Sequence, residues 1–372
     1  MADPFTSSKP LPEFALWEKM KNGRNRGLVS FDLEITARCN NDCAHCYINL
    51  PAGDQAARKK ELSLEQISNI ADQAVEMGAL WCLVTGGEPL LRPDFFDIYQ
   101  NLKKKGLLVS VFTNACLVTK KHAEFFKKYP PRDIEVTVYG VTEKTYEKIS
   151  RQPGSYGAFM RGLDLLMGLG VRLRFKTMAL KSNLPELPEI ARFCRERTKD
   201  YFRFDPQLHL RFDRDPVRNE LIKSERLSPE EVVAVEKADD ERFGALKKGC
   251  DKLIFSDSPA HLCDHLFHCG AGNGSFNLSY DGYFRLCSSL WNPATLYDLK
   301  KGTLKEAWRE FVPKVREIRS KSKEFLDKCR KCGIINLCLW CPAHAYLESG
   351  KMDEVVDFFC CVAHAREAAL KA

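Results

Sequence analysis

Between residues 30 and 210 the chain alternates short apolar runs with longer stretches whose apolar residues recur at helical spacing. The runs are FDLEIT (31–36), WCLVT (81–85), LLVSVFT (107–113), IEVTVYG (134–140), VRLRFKTMAL (171–180) and YFRFDPQLHL (201–210), and each predicts a strand. The segments between them predict helices. LSLEQISNIADQAVEMGA opens on a Ser63/Glu65 start signal and carries an apolar stripe. FFDIYQNLKKK follows the second strand, and SYGAFMRGLDLLMGLG and LPEIARFCRER flank the fifth. Strands alternating with helices imply parallel βα units. About six units fit, fewer than the eight of a closed barrel.

After about residue 212 the pattern changes. RFDRDPVRNELIKSERLSPEEVV is charged and predicts a connector with a short helix starting near Ser228. From Cys263 the chain is rich in cysteine, glycine and turn residues, and GSFNLSYDGYFRLC (274–287) predicts a β-hairpin turning at Asp281-Gly282. No repeats or low-complexity tracts interrupt the chain.

The 372 residues, 44% of them hydrophobic, suffice for one large domain or two ordinary ones. The net charge of +7 is spread along the chain, and basic stretches such as Lys103-Lys104-Lys105 lie among acidic and apolar residues. That distribution describes solvated helix faces rather than a nucleic-acid site. No apolar run is long enough to span a bilayer. MADPFTSSKPLPEF lacks the basic start and apolar stretch of a secretory signal, so a cytoplasmic location is expected.

The 16 cysteines change the picture more than the charge does. A long chain without a signal is not a secreted disulfide scaffold, and clustered cysteines then point to metal or chemistry. Three lie at 39–46 and nine between 263 and 361. Cys82, Cys116, Cys194 and Cys250 stand apart and read as small buried residues.

Cys39-x3-Cys43-x2-Cys46 falls just past the first strand, at the edge where parallel βα folds build active sites. Three thiolates can hold three irons of a [4Fe–4S] cluster and leave the fourth open to a ligand. A zinc loop with His45 as fourth donor is the competing reading. The second strand ends in Gly86-Gly87-Glu88-Pro89, where two glycines permit close backbone approach and Glu88 can accept from an ammonium. The third strand ends in Thr113-Asn114. A zinc loop does not require these motifs at successive strand ends.

The cysteine triplet followed by Gly-Gly-Glu-Pro resembles the radical S-adenosylmethionine (SAM) superfamily over roughly residues 28–210. The resemblance implies an α/β fold with a partial (βα)6 TIM-type barrel and a cluster on Cys39, Cys43 and Cys46. SAM would chelate the open iron through its amino and carboxylate groups, with Gly87 and Glu88 of the Gly86–Pro89 motif at the methionyl amine. His45 takes the place of the usual aromatic residue before the third cysteine, and Tyr47 adjoins it. Thr113, Asn114, Thr137 and Lys176 are candidates for ribose or carboxylate contacts. The implied chemistry is reductive cleavage of SAM to a 5′-deoxyadenosyl radical that abstracts hydrogen from a substrate. It implies a low-potential electron donor of flavodoxin or ferredoxin type.

The C-terminal cysteines run Cys263-x5-Cys269-x12-Gly282-x4-Cys287, then Cys329-x2-Cys332-x5-Cys338-x2-Cys341, then Cys360-Cys361. Two four-cysteine sites account for all but one of them, and structural zinc is the plain alternative. The pattern resembles the SPASM extension of the superfamily, a small cysteine-rich α+β domain with a β-hairpin that binds two auxiliary [4Fe–4S] clusters. Its interleaved ligands would be Cys263, Cys269, Cys287 and Cys341 for the first. The second would take Cys329, Cys332, Cys338 and either Cys360 or Cys361, Cys360 being marginally closer to the usual gap. One departure is the last x2 gap, where x3 is common. Fully ligated clusters would carry electrons or staple the domain. The expected division is an N-terminal segment (1–27), the barrel (28–212), a connector (213–260) and the SPASM domain (261–372).

SPASM enzymes mostly modify peptides and proteins, so the first expectation is crosslinking or side-chain oxidation of a ribosomally made peptide or protein. Action on a tetrapyrrole or another small molecule comes second, and a zinc-stapled binding protein third. Ser288 stands where the sulfatase-maturing branch carries aspartate, which disfavours formylglycine synthesis. The segment before Phe31 is too short for a leader-binding domain of about eighty residues. Phe202, Phe204, Asp205, His209 and Arg211 are placed to face a substrate or to pack the barrel.

Overall fold

The computed structural model describes residues 27–249, 254, 264–338 and 340–372. Most of the N-terminal segment, Cys250 and Cys263 lie outside them. Six strands, β1 (Ser30–Thr36), β2 (Trp81–Gly86), β3 (Leu108–Thr113), β4 (Ile134–Thr137), β5 (Leu173–Met178) and β6 (Arg203–Asp205), lie side by side in chain order, each parallel to the next. All six expected strands are present. The sixth is much shorter than its apolar run, because Pro206 has no N–H with which to continue the ladder.

Helices α1 (Leu64–Glu76), α2 (Phe95–Lys104), α3 (Lys120–Lys128), α4 (Glu143–Ser150), α5 (Ser155–Met167) and α6 (Leu187–Arg197) fill the connections. α1 starts at Ser63 as expected, but the reciprocal cap is made with Gln66 rather than Glu65. Phe31, Leu33 and Ile35 of β1 are buried in one core with Val84 of β2 and Ile67, Ile70 and Ala74 of α1. The alternate residues Asp32 and Glu34 turn the other way and reach the barrel lumen. The two-residue period of FDLEIT therefore separates an apolar face under the helices from a polar face in the lumen.

Residues 213–249 are more ordered than a plain connector. They form α7 (Pro216–Ser224), α8 (Pro229–Lys237), which starts at Ser228 as expected, and α9 (Asp240–Lys248). The expected hairpin is present as β7 (Ser275–Leu278) and β8 (Tyr283–Arg285), with Gly282 at φ 92°, followed by β9 (Tyr297–Asp298). It does not form a sheet of its own. β7 pairs in parallel with β1, Ser30 opposite Ser275 through Leu33 opposite Leu278. One nine-stranded sheet results, in the order β9-β8-β7-β1-β2-β3-β4-β5-β6. Phe31 stacks on Phe276 at 5.3 Å, and Phe276 on Phe284 at 5.0 Å. The chain ends with α10 (Lys323–Lys328), α11 (Pro342–Ser349) and α12 (Asp357–Lys371). Arg366 of α12 pairs at 2.8 Å with buried Glu236 of α8. No helix among the described residues is long and apolar enough to cross a membrane.

Candidate active site

The loop after β1 is pinned by arginines on both flanks. Arg38, itself buried, donates to Glu61 at 2.7 Å and to the Ala52 carbonyl at 3.0 Å. Arg211, beyond β6, donates at 3.1 Å to both the backbone and side-chain oxygens of Asn49, and Arg218 of α7 donates to Asp42 at 2.6 Å. Held this way, the loop presents Cys39, Cys43 and Cys46. The Asn41 N–H points at Cys39 Sγ (3.4 Å), the Asn49 N–H at Cys46 Sγ (3.4 Å), and Asn114 Nδ2 lies 3.7 Å from Cys39 Sγ. These donors favour thiolate charge, whereas burial pushes all three thiols above the ordinary range; neighbouring thiols raise Cys39 and Cys43 further, while Arg211 and Arg218 favour the Cys46 thiolate. A bound cation removes that opposition.

The two glycines of the second motif touch this same loop. Gly86 sits at φ +142°, and a Cβ there would lie 2.1 Å from the Thr36 carbonyl oxygen. At Gly87 a Cβ would lie 2.3 Å from the Arg38 oxygen. Gly87 N donates to Thr36 O at 2.7 Å and Glu88 N to Arg38 O at 2.9 Å. The backbone that approaches closely here is thus the chain's own. Glu88 is fully buried, and its carboxylate accepts from Thr113 Oγ1 (2.8 Å), Asn114 N (2.8 Å) and Leu90 N (3.1 Å). Burial still pushes it up to about 7. Glu88 and Pro89 do not line the cavity, and Glu88 ties the end of β2 to the end of β3.

A cavity of about 570 Å³ opens over the lumen. Cys39, Cys43, Cys46, His45, Tyr47, Gly86, Gly87, Thr113, Asn114, Thr137 and Lys176 all line it. His45 is pushed down to about 4 by burial and is therefore neutral, with Nδ1 unpartnered and its ring edge-on to Tyr139 at 5.5 Å. Lys176 already holds a counter-ion, Glu135 at 2.9 Å, and lies 3.8 Å from the Phe112 ring centre. Of the residues placed to face a substrate, Asp205 and His209 reach the cavity, Phe202 and Phe204 are core, and Arg211 braces Asn49. His209 Nδ1 lies 3.0 Å from Ser289 Oγ, and its ring lies 4.1 Å from that of His344. Sequence reasoning missed Asp32, Glu34, Tyr139, Gln207, Asn277 and His344 on the wall. The polar alternation inside FDLEIT was a legible signal for the first two, since strands buried on both faces are ordinarily apolar throughout.

The C-terminal thiols gather in two groups. Cys269, Cys287 and Cys341 interact electrostatically with one another, and Cys341 also reaches the cavity wall. Cys329, Cys332, Cys338 and Cys360 form the other group, in which burial pushes Cys329 up to about 12 and Cys338 to about 11. Cys360 and Cys361 are both exposed, and Cys361 interacts with Cys360. Cys263 lies outside the described residues. Among the described residues no three His, Cys, Asp or Glu side chains converge on a single-ion position. Of the cysteines set apart, Cys82 and Cys194 are buried as expected. Cys116 is only half-buried, because it follows β3 beside the loop, 3.9 Å from Asn41 Nδ2.

The sequence model of the radical SAM superfamily matches residues 33–194, and that of the SPASM iron–sulfur cluster-binding domain matches residues 269–333. The chain is a radical SAM enzyme with a SPASM domain. As a member of these families it binds SAM and a [4Fe–4S] cluster in the barrel and auxiliary iron–sulfur clusters in the SPASM domain. The chain is similar to the AdoMet-dependent heme synthase of Methanosarcina barkeri, 24% identical over 344 residues, 85% of this radical SAM enzyme and 92% of that one. It is similar to the antilisterial bacteriocin subtilosin biosynthesis protein AlbA of Bacillus subtilis, 30% identical over 164 residues, 44% of this chain and 36% of AlbA. The crystal structure of Streptococcus suis SuiB bound to its precursor peptide SuiA shares the fold, with a TM-score of 0.68 at 15% identity, over 95% of this chain and 82% of SuiB.

Proposed function

We propose that this radical SAM enzyme modifies a side chain of a ribosomally made peptide or protein, by crosslinking or oxidation. The size of the cavity carries the reading. About 570 Å³ is the room that one drug-sized ligand takes. SAM is itself such a ligand, so whatever shares the cavity must insert only a small part of itself. One residue of a peptide meets that condition while the rest of the peptide stays outside. A whole tetrapyrrole needs a second space of the same order.

In this reading Cys39, Cys43 and Cys46 hold the SAM-binding cluster. Gly86, Gly87, Thr113, Asn114 and Thr137 face SAM, and Glu88 positions Thr113 and Asn114 through the bonds described above. Cys269, Cys287 and Cys341, with Cys263, take the first auxiliary cluster. Cys329, Cys332, Cys338 and Cys360 take the second. Cluster and SAM together supply the 5′-deoxyadenosyl radical of this family. The protein excludes water from it and presents one C–H bond. Because Cys341 lines the cavity, an auxiliary cluster held by it would lie beside the reacting space and would supply a route for electrons. A flavodoxin- or ferredoxin-type donor supplies the electron that starts the cycle.

The 24% identity to the heme synthase along most of both chains favours a second reading, a tetrapyrrole substrate. Anaerobic turnover separates the two. The reduced holoenzyme and SAM are incubated with precursor peptides encoded in neighbouring genes, or with iron-coproporphyrin. The expected result is 5′-deoxyadenosine formed together with a peptide mass change. Consumption of the porphyrin with every peptide unchanged would reverse the assignment. Changing Cys39, Cys43 and Cys46 to alanine is expected to abolish 5′-deoxyadenosine formation and to lower iron from about twelve to about eight per chain.

A further inference from the structure

Charged residues of the cavity wall are largely paired, Glu34 with Arg285 of β8 at 2.7 Å, Lys176 with Glu135 at 2.9 Å and Arg242 with Glu236 at 2.8 Å. A surplus of charge lies instead on the SPASM side of the molecule. Residues 314–331 hold eight lysines and arginines against three carboxylates, a net +5 within a chain whose total is +7. The rest of the chain is therefore nearly neutral, and the charge is less evenly spread than the sequence pattern suggested.

The three carboxylates are already in use. Glu317 lies 2.9 Å from His265, Glu324 pairs with Lys328 at 2.6 Å, and Asp327 pairs with Lys331 at 3.0 Å. Lys314, Lys321 and Lys323 are exposed and make no ion pair among the described residues. The backbone beneath them is fixed. Asp353 accepts from Ser320 Oγ at 3.0 Å and from the N–H groups of Lys321 and Ser322 at 3.1 Å, and the Ser322 side chain caps α10. Buried Arg330 donates to the His265 carbonyl and lies 4.8 Å from the Phe325 ring centre. The cations thus stand on a rigid support and concentrate a positive field in one place.

This surface meets both groups of C-terminal thiols where they reach solvent. Arg316 donates to the carbonyl oxygens of Cys269 at 3.1 Å and Ala271 at 2.6 Å. Lys328 interacts electrostatically with Cys329 and with Cys360. Cys269 and Cys360 are both exposed. An acidic peptide would match the charge, but its binding gives no reason for the charge to coincide with the exposed thiols. An electron carrier needs both.

We propose that this face is where the electron donor docks, and that the donor is a small acidic one-electron carrier of flavodoxin type. The proposal rests on the assignment of Cys329, Cys332, Cys338 and Cys360 to the second auxiliary cluster. Carboxylates around the carrier's flavin lie against Lys321, Lys323 and Lys328. The flavin passes from the anionic hydroquinone to the neutral semiquinone, losing one electron and no proton, and the iron–sulfur site gains that electron. Such encounters are small and held by charge, so their affinity falls with salt.

The test uses the cluster-loaded holoenzyme and a purified flavodoxin. Oxidised flavodoxin is titrated by calorimetry at low and high salt, and its hydroquinone is mixed with the enzyme in anaerobic stopped flow. The double variant Lys323→Glu with Lys328→Glu is compared with Lys104→Glu with Lys127→Glu, the same charge change on exposed lysines of α2 and α3. The first pair is expected to weaken binding about tenfold or more and to slow iron–sulfur reduction in proportion, while the second stays within about twofold of wild type. Dithionite, which needs no docking, should drive 5′-deoxyadenosine formation equally in all three proteins. Iron per chain and this dithionite-driven rate report the cluster assignment and the enzyme reading separately from the docking face. Wild-type binding by the first pair, equal losses from both pairs, or no flavodoxin binding to the wild type at low salt would overturn the proposal. So would capture of a polyglutamate peptide at these lysines with flavodoxin unbound, which would give the face to an acidic peptide.

Discussion

Changing Gly87 to alanine tests whether the Gly-Gly pair serves the cluster loop. The added methyl would lie 2.3 Å from the Arg38 oxygen and 2.6 Å from the Ala37 oxygen. Both are backbone atoms of the loop that carries Cys39, so no side chain can swing aside. Contacts of a Cβ essentially never fall under 3.0 Å, so the loop must retreat by about 0.7 Å at the least and by about 1 Å for comfortable contact. A displacement of that size at a reacting centre lowers rates by about a hundredfold. The fold should survive, because the clash costs on the order of 1–3 kcal/mol, small beside the interactions of the rest of the barrel. The expected result is full iron in the auxiliary clusters, an altered electron paramagnetic resonance signal for the SAM-binding cluster, and 5′-deoxyadenosine formed about a hundredfold more slowly. Gly53→Ala, where a Cβ meets nothing within 4 Å, is the matched control. A Gly87→Ala enzyme with wild-type rate and spectrum would refute the argument.

Two further outcomes follow from the same geometry. Cys360→Ala should lower iron by about four per chain, while Cys361→Ala keeps it, because Cys360 is the one grouped with Cys329, Cys332 and Cys338; equal losses from both variants would contradict the grouping. Asp32→Asn should stabilise the substrate-free protein at high pH. Burial, then Glu34, raise the Asp32 carboxyl to about 6 from 3.8, against the opposing Arg285, with Cys82 of β2 and Tyr47 also facing it. A raised acid contributes stability that is complete below pH 3.8 and lost as pH climbs through 6. The variant should therefore gain about 3 kcal/mol at pH 8, or about 4 °C in Tm, and the gain should shrink towards zero as pH falls to 4. A Tm unchanged or lowered at pH 8 would show that Asp32 is not held at a cost.

Much of the barrel was legible because its strands are apolar enough to announce themselves and its helices carry start signals such as Ser63 and Ser228. The boundary of β6 was not, since an apolar run continues past Pro206 and only the missing N–H ends the pairing. The cysteines and strand-end motifs gave the site's location, because ligand spacing on a short loop is a local property. What the glycines and Glu88 touch was not local. Their partners, Arg38 and Thr113, lie 49 and 25 residues away, and no periodicity encodes such contacts. The polar face of β1 was written in FDLEIT, yet its meaning depends on Arg285, which arrives 251 residues later.

The parallel pairing of β7 with β1 bears on how such enzymes can be divided and recombined. A barrel cut free after residue 212 would keep its own six strands and still present β1 as a bare edge, open to pairing with another chain. It would also leave Glu34 buried without Arg285, a loss that costs several kcal/mol on its own. The two halves are therefore not interchangeable modules joined by a tether. A chimera that swaps the C-terminal half must bring a strand in register with residues 30–33 and a cation to meet Glu34, and in doing so it redraws one wall of the reaction chamber.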